Sequence, residues 1–119
     1  MSSILIVDDS RTMRKMLAGA LTGQGYEIAV NAGNGVEALE LLKTVKPDLI
    51  TLDITMPEMD GLEALTKIKE LYPDQKVLMV SAAGQKEKVL SALKAGAIDF
   101  IQKPFEQEVV VNTIKKVLG

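Results

Sequence analysis

Carboxylates directly follow two apolar runs of this sequence, and neither histidine nor cysteine is present to share their chemistry. Asp8 and Asp9 follow the run at residues 4–7, and Asp53 follows the run at residues 49–52. The absence of Cys and His excludes Cys/His zinc sites, thiol catalysis and Ser-His-Asp hydrolysis. Any chemistry must therefore be carried out by carboxylates, hydroxyls, Lys or Arg side chains, or the backbone.

The apolar runs indicate which elements position these carboxylates. Residues 4–7, 49–52 and 77–80 form short aliphatic runs without polar alternation, which is typical of strands that are covered on both faces of a parallel sheet. Residues 27–32 and 99–101 supply two weaker strand candidates. The sequence therefore predicts five strands, and three of them end in a polar side chain.

Five amphipathic stretches lie between and after these strands. Ser10 is the expected N-cap of the first helix, and Pro47, Pro73 and Gly96 mark where the second, third and fourth must stop. Apolar residues recur at helical spacing in all five stretches. These positions are Met13, Met16, Leu17, Ala20 and Leu21; Val36, Leu39 and Leu42; Leu62, Leu65, Ile68 and Leu71; Val89, Ala92 and Leu93; and Val110, Ile114, Val117 and Leu118.

The element order is therefore a strand followed by a helix, five times over. This order predicts an α/β fold with a five-stranded parallel sheet, right-handed crossovers and helices on both faces. The expected doubly wound strand order is 2-1-3-4-5. Because no linker, repeat or low-complexity segment interrupts the 119 residues, we expect a single domain over residues 1–119.

This topology is expected to bring the carboxylates together. Ligands of such sheets bind at the carboxyl ends of the strands where the strand order reverses, which here lies between strands 1 and 3. One Asp after a strand most often caps the next helix, but Asp8, Asp9 and Asp53 would share one pocket. Two carboxylates about 4 Å apart repel by about 4 kcal/mol at an effective dielectric near 20, so a cation or raised pKa values must compensate. Oxygen ligands without nitrogen or sulfur favour Mg²⁺.

The remaining strand ends add two groups that suit a phosphoryl ligand. Ser81 ends strand 4 and offers a hydroxyl donor, and Lys103 follows strand 5 and offers a positive charge. A phosphoryl group on Asp53 would then meet Mg²⁺, Lys103 and Ser81 on its three oxygens. Phosphoryl transfer depends mainly on such positioning and charge neutralisation.

These residues resemble those of bacterial two-component response-regulator receiver domains, and in particular the stand-alone chemotaxis receivers of the CheY type. The likeness extends from Ile4 to Leu118, nearly the whole chain, and its motifs are specific in both identity and order. The motifs are Asp8-Asp9, LDITMPEMDG at residues 52–61, SAAG at residues 81–84 and DFIQKPF at residues 99–105.

The resemblance implies a site and a phosphodonor. Asp53 would be the phosphoacceptor, with the phosphoryl group delivered by a histidine kinase. Asp9, Asp53 and the backbone carbonyl of Thr55 would bind Mg²⁺ directly, and Asp8 would act mostly through water. Such a chain catalyses its own phosphoryl transfer and dephosphorylation without being a turnover enzyme.

The resemblance also implies a switch. Ser81 and Phe100 would form the switch pair, and the peptide bond between Lys103 and Pro104 would be cis. Movement of the Ser81 hydroxyl towards the phosphoryl oxygens would let the Phe100 ring turn inward and change the surface of helix 4, strand 5 and helix 5. Many receivers have Tyr where this chain has Phe100. Because Phe100 has no hydroxyl, it can signal phosphorylation to a partner only through its shape and apolar area.

The composition limits the classes of partner that the protein is expected to bind. The net charge of −2 lacks the basic excess that nucleic-acid binding requires, and no window approaches the ~20 apolar residues of a membrane span. We expect a cytoplasmic monomer that regulates a protein partner such as a motor switch or a phosphatase. A phosphorelay intermediate and a receiver from a longer transcriptional regulator stay open as alternatives.

Two other classes of protein fit the fold but not the site. A flavin mononucleotide binder needs a Ser-, Thr- and Gly-rich loop after strand 1, where this chain has Asp8 and Asp9, which would repel phosphate. A phosphohydrolase with an Asp nucleophile usually carries a second Asp two residues further on, where this chain has Thr55. The sequence therefore favours the receiver over both.

Overall fold

The computed structural model describes residues 2–119, in which five strands and five helices alternate. The strands are β1 (Ser3–Val7), β2 (Glu27–Ala32), β3 (Leu49–Asp53), β4 (Lys76–Ser81) and β5 (Asp99–Gln102). The helices are α1 (Arg11–Thr22), α2 (Gly35–Leu41), α3 (Gly61–Leu71), α4 (Lys86–Lys94) and α5 (Gln107–Leu118).

The strands form one parallel sheet in the order β2-β1-β3-β4-β5, which confirms the predicted topology. In its register, Val7 at the end of β1 pairs with Leu52, and Asp53 pairs with Val80 of β4. The order reverses between β1 and β3, so the residues that follow these two strands are neighbours in space. The carboxyl edge of the sheet is therefore where the acidic residues meet.

Two aliphatic layers hold the sheet between its helices. Leu5, Val7 and their neighbours on one face pack against α2, α3 and α4, whereas Ile4 and Ile6 on the other face pack against α1 and α5. Alternate residues of a strand point to opposite faces, so one buried strand serves both layers. This double coverage explains why the strands read as unbroken apolar runs.

The apolar patterns overestimated how much of the helices is buried. Leu17 and Leu21 of α1 are buried as expected, but Met16 is 40% exposed, and Val36 and Leu71 are also exposed. Each helix touches the sheet from one side only and buries a single stripe of residues. Apolar residues at the margin of that stripe stay in contact with solvent.

Gly61 fixes the start of α3 against the end of β3. Its backbone N–H donates to the carbonyl of Ile54 at 2.6 Å, and a Cβ at this position would lie 2.6 Å from the Ile54 Cα and collide with the Asp53 carbonyl. Only glycine permits this approach, which therefore helps to position the backbone of Asp53. Among residues 2–119, no helix combines the length and apolar character needed to cross a membrane.

Candidate functional site

The acidic residues at the ends of β1 and β3 converge as the topology predicts. Asp8, Asp9 and Asp53 each place one carboxylate oxygen within 4.8 Å of those of the other two. Asp8 and Asp53 are buried, and Asp9 is exposed at the rim. This open arrangement of hard oxygen ligands suits a cation such as Mg²⁺, which keeps several of its water molecules.

None of these carboxylates is used to cap the following helix. Ser10 caps α1 by accepting a hydrogen bond from the backbone N–H of Met13 at 3.2 Å, and Asp60 caps α3 by accepting from the N–H of Glu63 at 2.9 Å. The structure thereby rejects the capping interpretation for Asp8, Asp9 and Asp53. Their carboxylates remain available for a ligand.

Asp8 is held by hydrogen bonds on several sides. Its carboxylate accepts from the backbone N–H of Ser10 at 2.8 Å and from the Lys103 Nζ at 3.2 Å. Its backbone carbonyl accepts from the Arg14 Nη1 at 2.6 Å. Charge-assisted hydrogen bonds of this kind stabilise an ionised carboxylate and fix its orientation.

The negative charge of Asp53 is opposed by its surroundings. Burial first, and then the charge of Asp8, raise the pKa of the Asp53 carboxyl from 3.8 to about 6, with Asp9 adding a smaller effect. Lys103, 3.6 Å away, and the backbone N–H of Thr55 oppose this shift in pKa without cancelling it. The Asp53 charge is therefore poorly stabilised by the protein, and a divalent cation beside it would relieve the cost.

Lys103 lies between the two buried carboxylates. Its backbone N–H donates to the carbonyl of Ser81 at 2.7 Å, which ties the segment after β5 to the end of β4. The peptide bond between Lys103 and Pro104 is cis. The structure thus places the Lys103 Nζ beside both Asp8 and Asp53.

Ser81 and Phe100 line the same groove. The Ser81 hydroxyl is buried and, among residues 2–119, makes only a long hydrogen-bond contact, 3.5 Å, with the carbonyl of Ile101. The Phe100 ring is 40% exposed, and both residues line a groove of about 340 Å³ together with Val89 and Leu90. Phe100 is therefore not an ordinary core aromatic, and space exists next to Ser81.

Arg14 and Gln85 also contact this region, and neither was predicted from the sequence. Arg14 is one of several polar residues of α1, so its type alone does not distinguish it. It lies six positions after Asp8, in the first turns of the helix that follows β1. Gln85 follows the SAAG motif, and its amide donates to the Thr55 hydroxyl at 2.6 Å. No signal in the pattern of residue types identified Gln85, because the contact spans 30 positions of sequence.

Comparison with known proteins agrees with this geometry. Residues 4–115 match the family model described as the response regulator receiver domain. The chain belongs to this family. Among curated relatives, the chemotaxis protein CheY of Thermotoga maritima is 50% identical over 114 residues, covering 96% of this chain and 95% of that protein. The chemotaxis protein CheY of Bacillus subtilis is 48% identical, covering 98% of this chain and 97% of that protein.

Solved structures support the receiver fold equally well. The receiver domain of NtrX from Brucella abortus is 36% identical with a TM-score of 0.92, covering 97% of both chains. A longer NtrX structure in complex with ADP is 35% identical with a TM-score of 0.93, but this receiver domain spans only 27% of that chain. The chain is a receiver domain of the CheY type, which confirms the predicted family and fold.

Receiver domains bind Mg²⁺ through an acidic pocket, and the residues of this chain fit such an ion. The site offers oxygen ligands only, and the Asp53 carboxyl has a raised pKa that a neighbouring cation would lower.

Proposed function

We propose that this receiver domain is a phosphorylation-dependent switch that accepts a phosphoryl group on Asp53 from a histidine kinase. The observation that carries the proposal is the position of Asp53, buried beside Asp8 and Lys103 with its pKa raised to about 6. In the transfer, the bond from phosphorus to the kinase histidine nitrogen breaks as the bond from phosphorus to a carboxylate oxygen of Asp53 forms. The histidine must come from the kinase, because this chain has none.

Asp9, Asp53 and the backbone carbonyl of Thr55 would hold Mg²⁺ directly, and Asp8 mostly through water. The ion would neutralise negative charge at the phosphoryl oxygens. Lys103 is already 3.2 Å from Asp8 and 3.6 Å from Asp53, so its positive charge can meet a second phosphoryl oxygen with little movement. Preorganised charges of this kind cost little reorganisation during the reaction.

Ser81 and Phe100 would convert this chemistry into a change of shape. The Ser81 hydroxyl has only the long contact with the Ile101 carbonyl to lose when it moves towards a phosphoryl oxygen. Phe100 can then turn from its exposed position into the groove that it lines with Ser81. The surface formed by α4, β5 and α5 would change with it, and a partner that binds one arrangement better would sense the phosphorylation.

Chemotaxis is the process that the relatives favour, because several of them are chemotaxis proteins that this chain matches over nearly its full length. A motor switch or a phosphatase is then the expected partner, with the receiver acting as a cytoplasmic monomer. The chain would undergo its own phosphorylation and dephosphorylation without acting as a turnover enzyme. A role in a phosphorelay or within a longer regulator has support from the NtrX structures, in which a similar domain is one part of the chain.

Incubation with Mg²⁺ and a small phosphodonor tests the proposal. Intact-mass measurement should show the addition of one phosphoryl group, and chelation of Mg²⁺ should prevent it. Asp53→Asn should show no addition, whereas Asp60→Asn, which changes an exposed Asp that caps α3, should behave like the wild type. Addition that persists in Asp53→Asn would show that another residue is the acceptor.

A further inference from the structure

Gln85 connects the two loops that follow β3 and β4. Its side-chain carbonyl accepts a hydrogen bond from the backbone N–H of Ala82 at 2.6 Å. Its side-chain nitrogen donates to the Thr55 hydroxyl, also at 2.6 Å. One side chain thus joins the loop after β3 to the loop after β4, and we call this pair of hydrogen bonds the Gln85 bridge.

The position of Gln85 in its helix indicates that the bridge is not a helix cap. Gln85 is the N-cap residue of α4, but its side chain makes no capping hydrogen bond. The N-cap side chains of α1, α2 and α3 all accept from a backbone N–H in the first turn of their own helix. Gly84, with φ at +84°, turns the chain just before Gln85. The N-cap side chain of α5 makes no capping hydrogen bond either, but the Gln85 side chain, unlike a cap, joins two loops.

The bridge lies at the carboxyl edge of the sheet, just beyond the end of β3 that carries Asp53. Asp53 pairs with Val80, and the two residues that the bridge joins, Thr55 and Ala82, each lie two positions beyond that pair. Hydrolysis of an aspartyl phosphate requires a water oxygen to attack phosphorus in line with, and opposite to, the Asp53 oxygen that leaves. A phosphoryl group on Asp53 would extend beyond the strand end, where the two residues that the bridge joins also lie.

We propose that Gln85 is a positioning residue that slows loss of the phosphoryl group, because it ties Thr55 to Ala82 beside Asp53 and so restricts the approach of water. This inference rests on the proposed function, since it concerns the lifetime of phosphate on Asp53. In the step that it restrains, water forms a bond to phosphorus and the bond from phosphorus to Asp53 breaks. Inorganic phosphate leaves with the protons of the water, and Asp53 returns to its carboxylate.

Decay of the phosphorylated protein after removal of the phosphodonor tests the bridge. We follow the phosphorylated fraction by intact mass for the wild type, Gln85→Ala and Thr55→Val. Gln85→Ala should lose phosphate about threefold faster, the factor that corresponds to the lower part of the range for one hydrogen bond. Thr55→Val keeps the shape of the side chain but removes the hydroxyl, and it should also accelerate the decay. The double variant should decay no faster than Gln85→Ala, because both changes break the same bridge.

Gln24→Ala is the matched control, since Gln24 is exposed in the turn after α1, away from the carboxyl edge. It should decay at the wild-type rate. If the wild type takes up phosphate on Asp53 but Gln85→Ala and Thr55→Val decay at its rate, the bridge has no role in phosphate lifetime and the proposed function stands. A lower urea midpoint with unchanged decay would likewise assign Gln85 a purely structural role. A wild type that takes up no phosphate would overturn the proposed function and the inference together.

Discussion

Asp53 and Asp60 lie at the two ends of the loop between β3 and α3, and the structure uses them in opposite ways. Asp60 is exposed and accepts a hydrogen bond from the backbone N–H of Glu63, which caps α3. Asp53 is 5% exposed and its charge is opposed by burial and by Asp8, so its pKa is raised to about 6. The same residue type stabilises the fold at one position and weakens it at the other. Structural needs do not explain a destabilising carboxylate at this position, which supports the proposal that Asp53 serves the function.

Gly61 links the two positions, and its replacement should have the largest effect on stability. In Gly61→Ala the new Cβ would collide with the backbone of Asp53 and Ile54, which cannot give way as a flexible side chain can. We expect a loss of about 3 kcal/mol in the free energy of unfolding, measured by urea denaturation. Gly19→Ala is the control, because a Cβ at Gly19 in α1 meets nothing within 4 Å. It should gain up to about 1 kcal/mol from helix propensity, and a Gly61→Ala variant as stable as the wild type would refute the close approach.

Asp53→Asn should raise stability in metal-free buffer at pH 7, by roughly 2 kcal/mol, because it removes a buried charge of about the same size and shape. The sign depends on pH. A raised pKa in the folded state means that the wild type has its full stability from this group below about pH 4 and loses it as the pH rises through about 6. The gain in Asp53→Asn should therefore shrink as the pH falls towards 4, and a gain independent of pH would contradict this origin.

Asp60→Ala should lower stability by about 1 kcal/mol, the usual cost of removing an N-cap side chain. Asp60→Asn is the control, since Asn can accept the same hydrogen bond from the N–H of Glu63. Thermal unfolding of both variants in metal-free buffer measures the difference. A stabilised Asp60→Ala would place Asp60 in the same class as Asp53 and remove the contrast between them.

The sequence was most informative where chemistry and topology coincide. The apolar runs before Asp8 and Asp53 identify two strands, and the alternation of strands and helices favours a doubly wound sheet in which these strands are neighbours. The acidic pocket therefore follows without side-chain detail. The exposure of Met16 could not be predicted, because helical spacing defines a stripe but not its width. The outward position of Phe100 depends on tertiary packing that local sequence does not encode.

Contacts between loops that are far apart in the sequence could not be predicted either. Gln85 meets Thr55 only because the ends of β3 and β4 lie side by side, and neither residue belongs to a type that indicates a site by itself. Arg14 likewise supports Asp8 through a backbone carbonyl, an acceptor that every residue carries. Contacts of this kind can be recognised only from the positions of the side chains in the folded protein.

A pH titration of the Asp53 carboxyl carbon by NMR, first without and then with Mg²⁺, tests the central claim most directly. Without metal, we expect an apparent pKa near 6, well above the ordinary value of 3.8. With Mg²⁺, the pKa should fall, because the cation stabilises the ionised carboxylate. A metal-free pKa at or below the ordinary value, with no response to Mg²⁺, would mean that Asp53 is already satisfied by the protein and is not poised to receive a phosphoryl group.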